Sequence, residues 1–128
     1  MIVIKPDGVA RSLVGEIISR FEKKGFRVIQ LKMMRFNKKQ AKDFYSPHIG
    51  KPFFGELQDF IVSGPLVAAV IEGPHAVNVA RGMIGVTKSF EAASGTIRGD
   101  FGLGYTDNIV HASDSDESFQ RESKIIFR

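Results

Sequence analysis

The sequence predicts an α+β sandwich in which helices cover a mainly antiparallel sheet of about four strands. Three features predict it. Hydrophobic residues switch between a period of two and a helical period along the chain. The run Leu66 to Ile71 is apolar without interruption, and half of it is Val or Ile. Glycine and proline punctuate the chain at short intervals instead of gathering at one linker. With 128 residues, of which 43% are hydrophobic, the chain reads as one domain over 1–128.

Ile2 to Ile4 is a short strand that enters a tight turn at Pro6-Asp7-Gly8, where proline fixes φ and glycine tolerates a positive one. Leu13, Ile17, Ile18 and Phe21 recur at helical spacing, and Gly25 stands where a left-handed C-terminal residue belongs. From Arg27 to Arg35 the period falls to two. Ile29, Leu31 and Met33 share one face and Gln30, Lys32 and Met34 the other, as in a half-exposed strand. Asn37 caps a short helix through Tyr45 that Pro47 stops, and a second helix runs from about Pro52 to Val62. Leu66 to Ile71 has the length and composition of a strand buried on both faces, although periodicity alone does not separate it from a helix. A helix follows from Pro74 to about Met83. Residues 85 to 107 hold five glycines and no sustained period, so they read as irregular and functional. Asn108 to Ala112 is a last strand, and Ser113 to Glu117 offers caps and carboxylates for the positive end of a helix reaching Phe127.

Composition removes several functions. With no cysteine there is no disulfide framework and no thiolate chemistry. No apolar run approaches the roughly 18 residues of a membrane span, which leads us to expect a cytoplasmic protein with no membrane partner. A net charge of +4 and a pI near 9.5 favour an anionic partner such as a nucleotide, phosphate or nucleic acid. Gly50-Lys51 is followed by Pro52 and not by Ser or Thr, so there is no P-loop; Gly102-Leu103-Gly104 lacks the third glycine of a dinucleotide fingerprint. His48, His75 and His111 show no metal-ligand spacing.

The last helix carries an anomaly. Phe119 and Ile126 are seven residues apart and share a face, and Glu122 lies between them, so a carboxylate is aimed at the core. It needs a donor there. His111, at the end of the preceding strand, is the nearest in sequence, and a carboxylate on one imidazole nitrogen would raise the nucleophilicity of the other. The plainer reading is that Glu122 leans into solvent or meets an arginine. In the helix from Pro52, Phe53, Leu57 and Phe60 form one stripe while Phe54 and Ile61 form another that could serve as the core face. The spare stripe is either core, a subunit interface, or an aromatic platform for a nucleobase. Lys5, Arg81 and Arg98 each stand beside glycine, proline or a hydroxyl residue near a predicted element end, where phosphate can approach the backbone.

The segment Asn108-Ile109-Val110-His111-Ala112-Ser113-Asp114-Ser115, followed by Glu117 and Glu122, resembles the active-site signature of nucleoside diphosphate kinases. The likeness continues through Ile4-Lys5-Pro6-Asp7-Gly8-Val9, Leu13-Val14-Gly15-Glu16-Ile17, Pro52-Phe53-Phe54, Ser63-Gly64-Pro65 and Gly95-Thr96-Ile97-Arg98-Gly99-Asp100-Phe101. The resemblance implies a ferredoxin-like βαββαβ core and ping-pong transfer of a γ-phosphate from a nucleoside triphosphate to a diphosphate through phosphohistidine. It implies His111 as nucleophile, Glu122 and Ser113 as the residues orienting its ring, and Tyr45 as a residue lining the site. It also implies Lys5 and Asn108 as contacts to ribose hydroxyl and phosphate, Arg81, Thr87 and Arg98 as phosphate ligands, and Phe53 and Leu57 as the grip on the base. Mg²⁺ is expected on the nucleotide phosphates with no protein ligand of its own. Stacking on a ring face common to every base leads us to expect broad base use.

Three positions depart from the pattern: Ala112 replaces a frequent glycine, the loop Thr87 to Gly95 lacks the prolines common in relatives, and the chain stops at Arg128, short of a frequent C-terminal tail. The expected assembly is a homohexamer, with a tetramer second. A nucleic-acid-binding module is the competing class, but the aromatic strand motif of RNA-recognition domains is absent. A catalytically dead nucleotide sensor is disfavoured because every matched site residue is present.

Overall fold

A computed structural model describes residues 1 to 127. Its backbone runs β1 (Ile2–Ile4), α1 (Pro6–Ala10), α2 (Val14–Lys24), β2 (Arg27–Met34), α3 (Lys38–Phe44), α4 (Phe54–Ile61), β3 (Leu66–Glu72), α5 (Ala76–Ile84), α6 (Ile97–Phe101), β4 (Val110–Ala112) and α7 (Asp116–Ile126). The four strands form one sheet in the order β2-β3-β1-β4, with every neighbouring pair antiparallel. This is an α+β, ferredoxin-like fold.

The period-two rule divides the sheet into two faces, and each has its own core. Ile2 and Ile4 of β1, Val67 and Ala69 of β3, and Val110 and Ala112 of β4 pack on α2 and α5, where Ile17, Phe21, Ala80 and Ile84 are buried. Val3 and Ala68 point the other way, onto Phe44 of α3, Leu57 and Ile61 of α4, and Ile126 of α7. β3 is therefore buried on both faces, which explains its uninterrupted apolar sequence. Local chemistry sets several ends: Asn37 and Gln40 form a capping box on α3, Gly25 ends α2 at φ 119°, and Ser115 Oγ accepts from Ser118 N at the start of α7.

Five features differ from the sequence reading. Pro6-Asp7-Gly8 opens the helix α1 instead of a tight turn, because proline at a first helical turn suits both conformations. α5 begins at Ala76, not Pro74, since His75 takes φ 54°. Residues 85 to 107 contain α6, capped by Thr96, which is too short for a period to register. β4 begins at Val110, because Ile109 has φ 73° and cannot continue a strand.

The fifth difference is β2. It lies at the sheet edge with a register irregularity between Val28 and Gln30. Ile29, Leu31 and Met33, expected on a covered face, are 47%, 58% and 59% exposed.

Gly8 shows how tightly α1 fits beneath β4. A Cβ there would stand 2.8 Å from Ile4 Cγ2 and 3.0 Å from the Ile109 carbonyl. Gly8→Ala should lose about 1–3 kcal/mol in urea unfolding, as for other overpacked sites; a wild-type midpoint would show that the contact has room.

Candidate active site

His111 lies at the middle of β4 opposite Val3. It therefore projects from the sheet face that packs on α3, α4 and α7. Its ring stands edge-on to Phe44 at 4.9 Å between centroids. Behind it, Nε2 is 2.9 Å from Glu122 Oε1. Glu122 reaches in from the buried side of α7, and the residue is 3% exposed. The same Oε1 accepts from Ser113 Oγ at 2.8 Å, and Oε2 accepts from Arg121 Nη2 at 3.3 Å. The carboxylate thus meets both the imidazole and an arginine.

Burial opposes the charge on Glu122, but the hydrogen bond and charge of His111, then Ser113 and Arg121, outweigh it and hold the carboxyl below its ordinary range. An ionised carboxylate only accepts, so Nε2 carries the hydrogen and donates. Nδ1 then keeps its lone pair in the neutral ring, and it has no hydrogen-bond partner among the described residues.

His111 opens into a cleft of about 260 Å³. Tyr45, at the end of α3, and Phe53 and Leu57, at the start of α4, line one side of it. Lys5, Arg81, Thr87, Arg98 and Asn108 line it as well. Ser113 and Glu122 lie behind the ring. All the residues named from the sequence converge on this one place. Leu57 belongs at once to the cleft and to the core, at 9% exposed, so the two stripes expected on α4 are not separate.

The basic side chains differ in how much they have free. Lys5 is 3% exposed; its Nζ donates to Thr106 O at 2.6 Å and to Asn108 Oδ1 at 2.9 Å, leaving one N–H. Burial pushes its ammonium down to about 8, with Asp7 opposing and Arg98 reinforcing the shift. Arg98 donates to the carbonyls of Asn108, Gly85 and Val110 at 3.2, 2.9 and 2.6 Å, so two of its five N–H remain. Burial, then the Arg81 charge, lowers it to about 10. Arg81 is exposed and holds only the Ala112 carbonyl, at 3.1 Å. Asn108 joins Lys5 to Thr87, donating to the Thr87 carbonyl at 3.0 Å. Desolvation, then Glu122, keeps the Tyr45 phenol well above its ordinary range and so neutral.

Ile109 is the strained residue of the site. A β-branched side chain at φ 73° costs on the order of 1–3 kcal/mol. Two hydrogen bonds hold it: Ile109 N donates to Asp7 Oδ2 at 2.9 Å, and Lys5 N donates to Ile109 O at 2.8 Å. Ala112, two residues further on than Val110, takes no positive φ, so replacing a glycine there causes no backbone conflict.

Sequence reasoning missed four residues here. His48, Tyr105 and Asp114 line the cleft. Arg121 fastens α7 to α3 by donating to the carbonyls of Asp43 and Phe44 at 3.0 and 2.8 Å. The Tyr45–His48 spacing of one helical turn was a signal for His48, whose ring packs on Phe53 at 5.4 Å. The others carry no local signal. A second hollow of about 300 Å³, walled by Ile29, Val70, Ala76 and Phe119, holds no imidazole and no basic side chain.

A family model described as nucleoside diphosphate kinase matches residues 1–128. The chain belongs to the nucleoside diphosphate kinase family. Among similar proteins, the nucleoside diphosphate kinase of Staphylothermus marinus is 54% identical over 128 residues, covering 100% of this chain and 91% of the relative. That of Ignicoccus hospitalis is 54% identical over 127 residues, covering 99% and 86%. The Halobacterium salinarum enzyme, solved in complex with CDP, superposes with TM-score 0.94 at 41% identity over 98% of this chain and 84% of that one. The Aquifex aeolicus enzyme gives TM-score 0.95 at 44% identity over 99% and 92%. The family is one of phosphotransferases, and the chain is an enzyme of that class.

The depressed Glu122 pKa has a thermodynamic sign. Its stabilising contribution is present above the unfolded carboxyl value, near 4.5, and is lost as pH falls through the lower folded value. Glu122→Gln should therefore be less stable than wild type by about 1–3 kcal/mol near neutral pH. The difference should shrink in denaturant titrations run below that range; a gap that stays constant with pH would show that the carboxylate charge is irrelevant.

Proposed function

We propose that the protein transfers the γ-phosphoryl group of a nucleoside triphosphate such as ATP to a nucleoside diphosphate in two half-reactions, through a phosphohistidine at His111. The observation that carries this reading is the 2.9 Å contact between Nε2 and Glu122, which leaves the Nδ1 lone pair at a cleft walled by Lys5, Arg81 and Arg98. In the first half-reaction the Nδ1 lone pair forms the N–P bond while the bond from phosphorus to the β,γ-bridging oxygen breaks, and the diphosphate leaves with that electron pair. Positive charge develops on the ring, and the buried carboxylate on Nε2–H stabilises it. In the second, a terminal oxygen of the incoming diphosphate attacks the same phosphorus and the lone pair returns to Nδ1.

Phosphoryl transfer depends mainly on positioning and on neutralising oxygen charge. Lys5, Arg81 and Arg98 take the phosphate oxygens, with Thr87 and Asn108 beside them, and Lys5 and Asn108 also reach the ribose hydroxyl. Ser113 and Glu122 fix the ring, Tyr45 lines it, and Phe53 with Leu57 grips the base. Stacking on Phe53 reads no base-specific edge, so base use is broad. Among the described residues no three His, Asp or Glu side chains converge as a metal site, and Asp114 is the lone carboxylate on the cleft wall. Mg²⁺ would enter bound to the nucleotide phosphates, where it would supply further charge neutralisation.

The protein acts in the cytoplasm as a self-associating enzyme, a homohexamer with a tetramer as the alternative. Two separate apolar surfaces support this: Ile29, Leu31 and Met33 along β2, and Val86, Phe90 and Leu103 among the loops, at 56%, 61% and 83% exposed. Closed assemblies of higher order than a dimer engage at least two surface patches on each subunit. No helix among the described residues is long and apolar enough to cross a membrane.

Wild-type protein mixed with γ-labelled ATP should acquire acid-labile, alkali-stable phosphate and pass it to GDP or CDP. His111→Asn should lower transfer about a thousandfold or more; equal labelling of the two proteins refutes the mechanism. A pH profile tests Lys5. Its charge is present below about 8 and lost above, so kcat/KM for ATP should fall as pH rises through that value. Lys5→Gln should be weaker throughout and lack this limb; persistence of the limb in the variant would assign it to another group.

A further inference from the structure

We propose that Arg121 is a positioning residue for phosphoryl transfer, setting the orientation of the His111 ring by holding both the carboxylate behind that ring and the phenylalanine beside it. The proposal rests on the phosphohistidine reading above and adds a residue to it. Arg121 does not line the cleft, so it acts only through other side chains. Its Nη2 donates to Glu122 Oε2 at 3.3 Å, while Nη1 donates to the carbonyls of Asp43 and Phe44 at 3.0 and 2.8 Å. Phe44 in turn stands edge-on to the His111 ring, and Glu122 Oε1 is hydrogen-bonded to its Nε2. One guanidinium therefore fixes two of the neighbours that decide how the ring is turned.

The ring and its carboxylate both need such a hold. The last torsions of a glutamate and of a histidine are soft and roughly two-fold, so neither side chain keeps its plane unaided. Oε1 carries the carboxylate's bonds from His111 and Ser113, and Oε2 has Arg121 alone among the described residues. Without that bond the carboxylate is anchored through a single oxygen and swings about it, and Oε1 leaves the plane of the imidazole N–H. Adjacent side chains on a helix point about 100° apart. Glu122 accordingly turns in to β4 while Arg121 turns to the end of α3, where the last carbonyls carry the negative end of the helix dipole. The contact back to Oε2 is thus a bridge between two helices and not an ordinary pair along one. Of the groups that hold Glu122 ionised, His111 and Ser113 outweigh Arg121, so the carboxylate stays charged without it and what it loses is orientation. Displacing a reacting group by about an ångström costs on the order of a hundredfold in rate.

Single-turnover formation of phosphohistidine from ATP, measured beside the Kd of ADP for wild type, Arg121→Ala and Arg121→Lys, tests this. Arg121→Ala should slow phosphohistidine formation about ten- to a hundredfold while the Kd of ADP stays within about twofold, since no ligand contact is removed. Arg121→Lys keeps the charge but loses the planar fork that spans three oxygens, and it should remain about tenfold or more below wild type; it also carries the test if Arg121→Ala fails to fold. The Arg121 side chain is 32% exposed, so soluble guanidinium can enter the space left in Arg121→Ala. Guanidinium should restore the rate severalfold at concentrations far below those that unfold proteins, and methylammonium at equal ionic strength should not. A wild-type rate in either variant, a loss confined to ADP binding, or equal rescue by methylammonium would overturn the assignment while leaving the kinase reading intact. No phosphohistidine on wild type would overturn both.

Discussion

A carboxylate taken out of water must be met by donors, and in this protein that requirement fixes the relative placement of four elements. Glu122 is buried on α7, and its two oxygens are shared by His111 from β4, Ser113 from the segment after it, and Arg121 from its own helix. Arg121 then grips the carbonyls at the end of α3. An edge strand of three residues has little of its own to hold it, so the buried ion network does what a longer ladder would do. Leaving the carboxylate unpartnered would be strongly unfavourable, and the imidazole is thereby locked in one orientation and one tautomer.

The same economy governs the basic side chains. Arg98 and Lys5 lie almost wholly inside the protein, and four of their eight N–H donors hold main-chain carbonyls between residues 85 and 110. Gly85, Thr106 and Asn108 lie outside any strand or helix, so a buried cation both orders the loop and keeps a remaining N–H beside the cleft. Ile109 adds a strained link, clamped between Asp7 and the Lys5 amide. Strain of this kind persists only where surrounding contacts over-determine it, and here it turns the chain from the loop into β4 just ahead of His111.

The cleft has two kinds of lining. Lys5, Arg81, Arg98 and the imidazole supply positive and polar groups, while Tyr45, Phe53, Leu57 and Tyr105 supply aromatic and apolar faces. In the proposed reaction, charge attracts any phosphate chain and a ring face accepts any base, so this lining would separate strong recognition of what nucleotides share from weaker recognition of what distinguishes them.

Periodic segments were legible from the sequence because their signals are local. The helical spacing of α2, the apolar run of β3 and the Asn37 cap are each contained within a few neighbouring residues, and so is the phase that turns Glu122 inward. The motif residues could be named for the same reason. Only the tertiary structure decided that β2 keeps its apolar face uncovered, that β4 begins only after Ile109, and that Arg98 is chiefly a scaffold for carbonyls. It also decided that Tyr105 and Asp114 line the cleft and that Arg121 reaches the carbonyls at the end of α3. Each of these depends on groups distant in sequence arriving at one place, and a side chain's own neighbours carry no record of a partner dozens of residues away.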